Sequence, residues 1–350
     1  MIDWSLYDFN LPEGLLADTP AAPRGSSRLF IFNTESNNIS FDIFHNFNKY
    51  LPEKSFLVLN KTKVFPSRVV LKKESGGKIV ALLLINEITD AHKTTVKALV
   101  DRKITVGKKL FFDHQYHFRV VSRRDKIFEF KYNFGYQKLI EIINKNGQTP
   151  IPPYLRKTPL KETELRKKYQ TVFADESNFG SVAAPTASLH FTKKILAKLK
   201  EKKTKCFFVN LQVGLGTFAP ITDHNLKSKK LHEEYFQINS ADFSAMNKLR
   251  SEGFSLIASG TTTARALESK VKDCEDYQSQ KTGLFIFPPY KFRMIDCLIT
   301  NFHLPRSSLM MLVEAFLQFK HSKKHLLELY NIAIKEKFRF YSFGDAMLIL

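Results

Sequence analysis

Three cysteines in 350 residues, Cys206, Cys274 and Cys297, are too few and too scattered to staple a fold. They are odd in number and form no Cys-x-x-Cys pair, which argues against a disulfide framework and a cysteine-based zinc site. Long apolar runs are missing too. The strongest are Ile79 to Ile85, which is short, and Leu309 to Leu317, which Glu314 interrupts; a spanning helix needs about 20 apolar residues. Met1 to Asp8 is acidic and lacks the apolar stretch of a signal peptide. A soluble protein of the reducing cytoplasm is therefore expected. There is no internal repeat and no low-complexity segment. Acidic residues are scarce, with 34 Asp and Glu against 54 Lys and Arg, for a net charge of +20. Such an excess points to a polyanionic partner, because each neutralised phosphate releases counterions; a generally basic proteome or simple solubility is the competing reading. No long basic helix carries a Trp or Phe face, so a membrane surface is not the expected partner.

What is present suffices for a real core, since 43% of the residues are hydrophobic. Two textures alternate. From Val64 to Tyr132 short β-prone runs follow closely: Lys78–Ile85, Thr94–Val100, Lys109–Asp113, Tyr116–Val121 and Ile127–Tyr132. Turn signals at Gly76-Gly77, Val106-Gly107 and Arg124-Asp125 separate them, which predicts a small barrel or sandwich. Its charges are mostly basic: Lys72, Lys73, Arg102, Lys103, Lys108, Lys109, Arg123 and Arg124. Residues 150–168, opening on Pro150-Ile151-Pro152-Pro153, read as a linker. Beyond residue 180 strands and helices alternate. Strands are predicted at Cys206–Val213, Phe254–Ser259, Leu284–Phe287 and Met294–Thr300. Helices are predicted at Phe191–Lys203, Ser240–Glu252, Ala264–Val271, Ser307–Phe319 and Lys323–Lys335. With a buried strand at Ser55–Asn60, the expectation is a mixed-sheet α/β domain built from residues 1–63 and 151–350, with a small β-barrel domain inserted at 64–150.

Chemistry gathers at four element ends. The run Gly180 to Thr192 places small residues, Thr186 among them, ahead of a helix that begins near His190. Leu211 to Phe218 is a strand running into Gly214-Leu215-Gly216. The third glycine and following helix of a dinucleotide fingerprint are absent, so that reading is rejected, while close approach of a nucleoside or ribose remains open beside a merely bent strand. Ala258 to Ser269 reads strand, turn, helix, and Gly260, Thr261 and Thr262 at the helix start form a natural anion site. Arg265 and Glu268 share a face of that helix, where a surface ion pair is the bland alternative. Thr300 to Ser308 brings Asn301, His303 and Arg306 to a strand end. No Gly-x-Ser-x-Gly elbow occurs, which excludes that hydrolase reading. His224, His232 and Glu234 lack a His-Glu-x-x-His frame, so Glu234 is read as a catalytic carboxylate and no metal is expected.

Together these blocks resemble the S-adenosylmethionine:tRNA ribosyltransferase-isomerases of queuosine biosynthesis. The resemblance rests on Leu57-Val58-Leu59-Asn60, Pro150 to Tyr154, Tyr169 to Val172, Gly180 to Thr192, Val213 to Phe218, Gly260 to Ser269, Ile299 to Pro305 and Phe340 to Ile349, in the family's order over essentially the whole chain. It implies an enzyme that moves the ribosyl part of S-adenosylmethionine onto 7-aminomethyl-7-deazaguanine at the tRNA wobble position. Epoxyqueuosine forms, and adenine and methionine leave. The resemblance further implies an α/β domain with an inserted barrel, S-adenosylmethionine as co-substrate rather than cofactor, and modified tRNA as partner; a monomer is expected. Glu234, His190 and His303 are candidates for proton transfer. Asp345 is a candidate to face the sulfonium. Gly260 to Thr262 with Arg265 would take an anionic group, and Asn60 and Asn301 would orient polar atoms. Thr186, Gly214, Gly216 and Glu268 complete the candidate substrate contacts. Arg28, in Arg24-Gly25-Ser26-Ser27-Arg28, is a further candidate, a structural ion pair being its competing reading.

The chain departs from the family pattern at several places. Gln212 stands at a usual His, Lys229 at the first His of His-x-Met-His-Ser-Glu, and Lys61 and Lys63 in the usual Asn-Asp-Thr-Arg. Ser188 and Pro289 replace common glycines, and Gly25 replaces an acidic residue. These losses motivate a second reading, a diverged member that binds tRNA without catalysis. A methyltransferase ranks last, for want of a Gly-rich early strand-turn-helix.

Overall fold

The computed structural model describes residues 3–350 apart from 89, 91, 93, 215–220 and 271–279. Strands β1 (Arg28–Asn33) and β2 (Asn38–Ile43) form an N-terminal hairpin, and β3 (Ser55–Asn60) follows with all six residues buried. Burial on both faces is what a continuous apolar run demands of a central strand. The short β4 (Lys63–Val64) leads into the barrel strands β5 (Arg68–Lys73), β6 (Lys78–Leu83), β7 (Thr95–Val100), β8 (Lys109–Phe111), β9 (His117–Arg124) and β10 (Ile127–Tyr132). These six close in the order β10-β7-β6-β5-β8-β9, all antiparallel. Alternate residues such as Val69, Leu71, Ile79, Ala81, Ala98, Phe118 and Phe130 fill the interior, so the barrel has its own core.

Two helices then appear where the sequence predicted none. Helix α1 (Tyr136–Asn146) lays Leu139 and Ile143 against the barrel core. Helix α2 (Glu162–Lys168) sits inside the expected linker. It buries only Leu165, so no apolar period announces it. Arg24 holds its far end, donating to the carbonyls of Lys167, Lys168 and Gln170 at 3.0, 2.7 and 2.5 Å.

The rest of the chain builds the large sheet. It contributes β11 (Phe179–Ser181), α3 (Lys193–Glu201), β12 (Cys206–Leu211), α4 (Asp223–Ser228), β13 (Lys230–Ile238), α5 (Ser240–Ser251), β14 (Ser255–Ser259) and α6 (Thr261–Ser269). There follow β15 (Gln280–Leu284), β16 (Cys297–Asn301), α7 (Ser308–Phe319), α8 (Leu326–Lys335) and β17 (Ala346–Ile349). Nine strands run in the order β15-β13-β12-β3-β14-β16-β17-β1-β2. The inner four, β12, β3, β14 and β16, are mutually parallel. Strand β17 is antiparallel to β16 but parallel to β1. The expected fold, a mixed-sheet α/β domain carrying an inserted β-barrel, is thus the observed one. The predicted strand Leu284–Phe287 begins earlier and stops at Leu284; Phe285 and Ile286 leave the sheet to fill the core. No described helix is long and apolar enough to cross a membrane.

Candidate active site

Because β12, β3, β14 and β16 are parallel, their C-terminal ends, at Leu211, Asn60, Ser259 and Asn301, lie along one edge. Antiparallel β17 starts at that edge, with Ala346 opposite Asn301, and β1 starts beside it, with Leu29 opposite Ala346. Such an edge is where α/β sheets place their ligands. Residues from the whole length of the chain meet there in three groups.

The first group is knitted by Asn60. Its Nδ2 donates to the Leu211 carbonyl (3.0 Å) and to Thr262 Oγ1 (3.2 Å), while Oδ1 accepts from the amides of Thr62 and Leu211 (both 3.1 Å). Asn60 therefore clamps the ends of β3 and β12 to the first turn of α6. Gly260 precedes that turn, Thr261 is buried in it, and Thr263 Oγ1 donates back to the Ser259 carbonyl at 2.6 Å. Half-buried Thr186 occupies a 3-10 turn whose Ser188 Oγ lies 2.9 Å from Ser259 Oγ. Ser188, at a position where glycine is common, thus serves as a hydrogen-bonded strut.

The second group centres on Glu234 of β13, 1% exposed. Arg265 of α6 donates Nη2 to its Oε2, and the amide of Gly214 donates to Oε1 at 3.0 Å. Arg265 is itself buried, and its Nε has no partner among the described residues. Arg265 and Glu268 do not pair with each other as their spacing suggested. Arg265 turns to Glu234, and Glu268 accepts from the amides of Arg293 (3.0 Å) and Met294 (2.8 Å). The reason is burial: a helix enclosed on both faces cannot spend its charges on a solvent-side pair. Gly216 lies outside the described residues.

The third group surrounds His190. Its Nε2 lies 3.4 Å from Asn301 Nδ2, and that amide group also donates to the Tyr341 carbonyl at 3.2 Å. Nε2 is therefore the acceptor, and the proton sits on Nδ1, which donates to Ser27 Oγ at 2.8 Å. Burial pushes the His190 imidazole down to about 4, so it is neutral at pH 7. Asp345, 1% exposed, accepts from the Arg28 amide (3.0 Å), the Arg339 amide (2.8 Å) and Arg339 Nη2 (3.1 Å). The Arg28 guanidinium lies over the Phe338 ring, 3.9 Å from its centroid, and donates to the Glu336 carbonyl at 2.5 Å. Among the described residues it forms no ion pair, the competing reading of this position.

His303 stands apart. Thr300 Oγ1 is 3.3 Å from its Nε2, and its amide donates to Tyr330 Oη at 2.8 Å. Burial drives this imidazole down to about 3. His224 and His232 are exposed, and no three His, Cys, Asp or Glu among the described residues are grouped to hold a metal.

Sequence reasoning missed Ser27, Arg339 and Asn86. Ser27 belongs to a block singled out only for Arg28, and Arg339 hides between Phe338 and Phe340. Asn86 lies in the barrel segment, in a 3-10 turn (Ile85–Glu87) between β6 and β7. One polar residue in the Ile85-Asn86-Glu87 turn gives no local sign that the fold carries it to another domain.

The two histidine losses fall on structural positions. Gln212 Nε2 donates to the Phe179 carbonyl at 3.2 Å, tying β11 to the strand end. Lys229 is the exposed left-handed cap of α4. Lys61 and Lys63 pair with Asp175 and Glu176.

Comparison with known proteins gives a single direction. A family profile described as queuosine biosynthesis protein matches residues 4–349. The S-adenosylmethionine:tRNA ribosyltransferase-isomerase of Fusobacterium nucleatum is 39% identical over 98% of this chain and 95% of its own length. That of Carboxydothermus hydrogenoformans is 41% identical over 98% of each. A crystal structure of an S-adenosylmethionine tRNA ribosyltransferase from Thermotoga maritima is 31% identical, covers 99% of this chain and all of its own, and superposes with a TM-score of 0.54.

Proposed function

The chain belongs to the queuosine biosynthesis protein family, and from that premise we propose that it is an S-adenosylmethionine:tRNA ribosyltransferase-isomerase. Its acceptor is tRNA bearing 7-aminomethyl-7-deazaguanine at the wobble position, and its products are epoxyqueuosine in the RNA, adenine and methionine. The observation that carries this reading is the buried Glu234, held by Arg265 and the Gly214 amide at the edge where the parallel strands end, in a chain that aligns end to end with enzymes of that name.

The chemistry needs a base beside the sulfonium, whose positive charge acidifies the neighbouring ribose carbon. Glu234 supplies it. A carboxylate has about four acceptor sites, and Arg265 and Gly214 occupy only two. His190, with both nitrogens engaged, holds Asn301 and Ser27 in place. Thr261 and the free amides of the first turn of α6 take the methionine carboxylate. The ribose carbon and the aminomethyl nitrogen of the tRNA base each give up one proton as that nitrogen bonds to the ribosyl unit; one proton goes to the departing adenine and the other to solvent, and the ribosyl carbons close to the epoxide-bearing ring as the C–S electron pair leaves with methionine, the neutral thioether. The barrel's exposed Lys72, Arg102, Lys103, Lys108, Arg123 and Arg124 offer the RNA a basic surface.

The deciding experiment incubates the protein with S-adenosylmethionine and the modified tRNA, then follows adenine and the RNA nucleosides by mass spectrometry. Epoxyqueuosine matched by adenine is expected. Retention of tRNA with neither product would establish the binding-only alternative. The structural positions of Gln212 and Lys229 carry a second expectation. Lys229→His leaves kcat/KM unchanged, whereas Gln212→Ala costs about 1 kcal/mol of stability for its lost hydrogen bond, read by urea denaturation. A marked rise in kcat on restoring His at either position would show that the losses impair catalysis.

A further inference from the structure

The barrel supplies a residue to the site. We infer that Asn86 binds the hydrogen-bonding edge of a purine-type base, an inference that rests on the reading above. Its turn is fixed on both sides. Ile85 is anchored in the barrel core, and the amides of Glu87 and Ile88 close the turn on the carbonyls of Leu84 and Ile85. On the other side β11 presses against it. A Cβ at Gly180, whose φ is +121°, would stand 3.4 Å from the Asn86 amide nitrogen and Cα, so only glycine fits there comfortably.

The side chain that this turn presents is 8% exposed, and its Oδ1 is buried with no partner among the described residues. A buried amide left unpaired is costly, and a ligand that pairs it removes the cost. The direction it faces is set by Gly214. A Cβ at residue 214 would lie 3.2 Å from Asn86 Nδ2 and 3.8 Å from Glu234 Cγ. The Asn86 carboxamide and the Glu234 side chain therefore both lie against Gly214, and a side chain at position 214 would press on the carboxamide.

The ligand's chemistry follows from these neighbours. A carboxamide presents one acceptor beside donors, the complement of a base edge that offers a donor next to an acceptor, as asparagine does with adenine. A free anion would meet the Glu234 charge and a free cation would meet Arg265. A neutral heterocycle meets neither penalty. Two bases take part in the reaction, the adenine of S-adenosylmethionine and the deazaguanine of the tRNA, and both carry such an edge.

Asn86→Ala and Asn86→Leu separate them. Steady-state adenine release gives KM for each substrate, equilibrium dialysis gives S-adenosylmethionine binding without tRNA, and thermal melting reports the fold. The expected result is a roughly 10- to 100-fold rise in one KM at an unchanged melting temperature. A rise for S-adenosylmethionine, matched by weaker dialysis binding, assigns the edge to adenine; a rise for tRNA alone assigns it to the wobble base. Unaltered KM values with a lowered melting temperature would make Asn86 a structural element of the barrel junction and overturn the inference. Wild-type turnover is the control on the enzyme reading itself: an active wild type beside unaffected variants defeats this inference alone.

Discussion

Glu234→Gln lowers the rate of adenine release by about 10²- to 10⁴-fold, the usual worth of a positioned general base, and destabilises the protein by about 3–5 kcal/mol. Both effects come from one carboxylate. It is 1% exposed and ion-paired with Arg265, itself 6% exposed. A neutral amide at position 234 still accepts from the Gly214 amide, but leaves the guanidinium buried without a counter-charge. The two effects separate in the double variant Glu234→Leu/Arg265→Met. Exchanging a whole buried pair for apolar residues is often neutral or better, so urea denaturation should show most of the lost stability restored. Catalysis should not return, because the base is gone. Activity in Glu234→Gln near the wild-type level would remove Glu234 from the proton-transfer step. A double variant as unstable as the single one would show that packing, rather than the unpaired charge, dominates at this position.

Acidification should weaken the fold well before the carboxylates titrate. His190 and His303 are held neutral by burial, pushed down to about 4 and about 3 from an ordinary value of 6.5. The unfolded chain takes up these protons below pH 6.5 and the folded chain does not, so stability is complete above that value and falls as pH drops toward 4. Each imidazole contributes on the order of 3 kcal/mol across that window. His325 shifts upward through its hydrogen bond to Glu314. Its contribution is complete below pH 6.5 and is lost only as pH rises through its own value, so it offsets nothing in the window. Guanidinium unfolding measured at intervals from pH 7 to pH 4 gives the slope. His190→Gln and His303→Gln should each flatten it, and a slope unchanged in both variants would show that the imidazoles protonate in place.

Much of the fold was readable in the chain itself. Periodicity located β3, β12, β14 and most barrel strands, because a strand buried on one face or both must write its pattern into successive residues. The texture change near Val64 marked the barrel. Elements that bury little or lie at the rim were silent: α2 contributes Leu165 alone, and β2 exposes four of its six residues. The candidate site divided in the same way. Glu234, His190, Asn301 and Asp345 were singled out by the blocks that carry them, but their partners were not.

What the sequence by itself determined is the class of the protein: a basic, two-texture chain with polar residues gathered at strand ends and without the cysteines, metal frames or apolar spans of other classes. What only the tertiary structure decided is which of those residues meet. Ser27 reaches His190 across 163 positions, Arg28 reaches Asp345 across 317, and Arg265 turns from Glu268, three positions away, to Glu234 on another strand. Local spacing encodes which face of an element is buried. The order in which nine strands are laid side by side, and the barrel turn that brings Asn86 to Gly214, arise from the packing of distant apolar faces, and no window of the sequence contains that information.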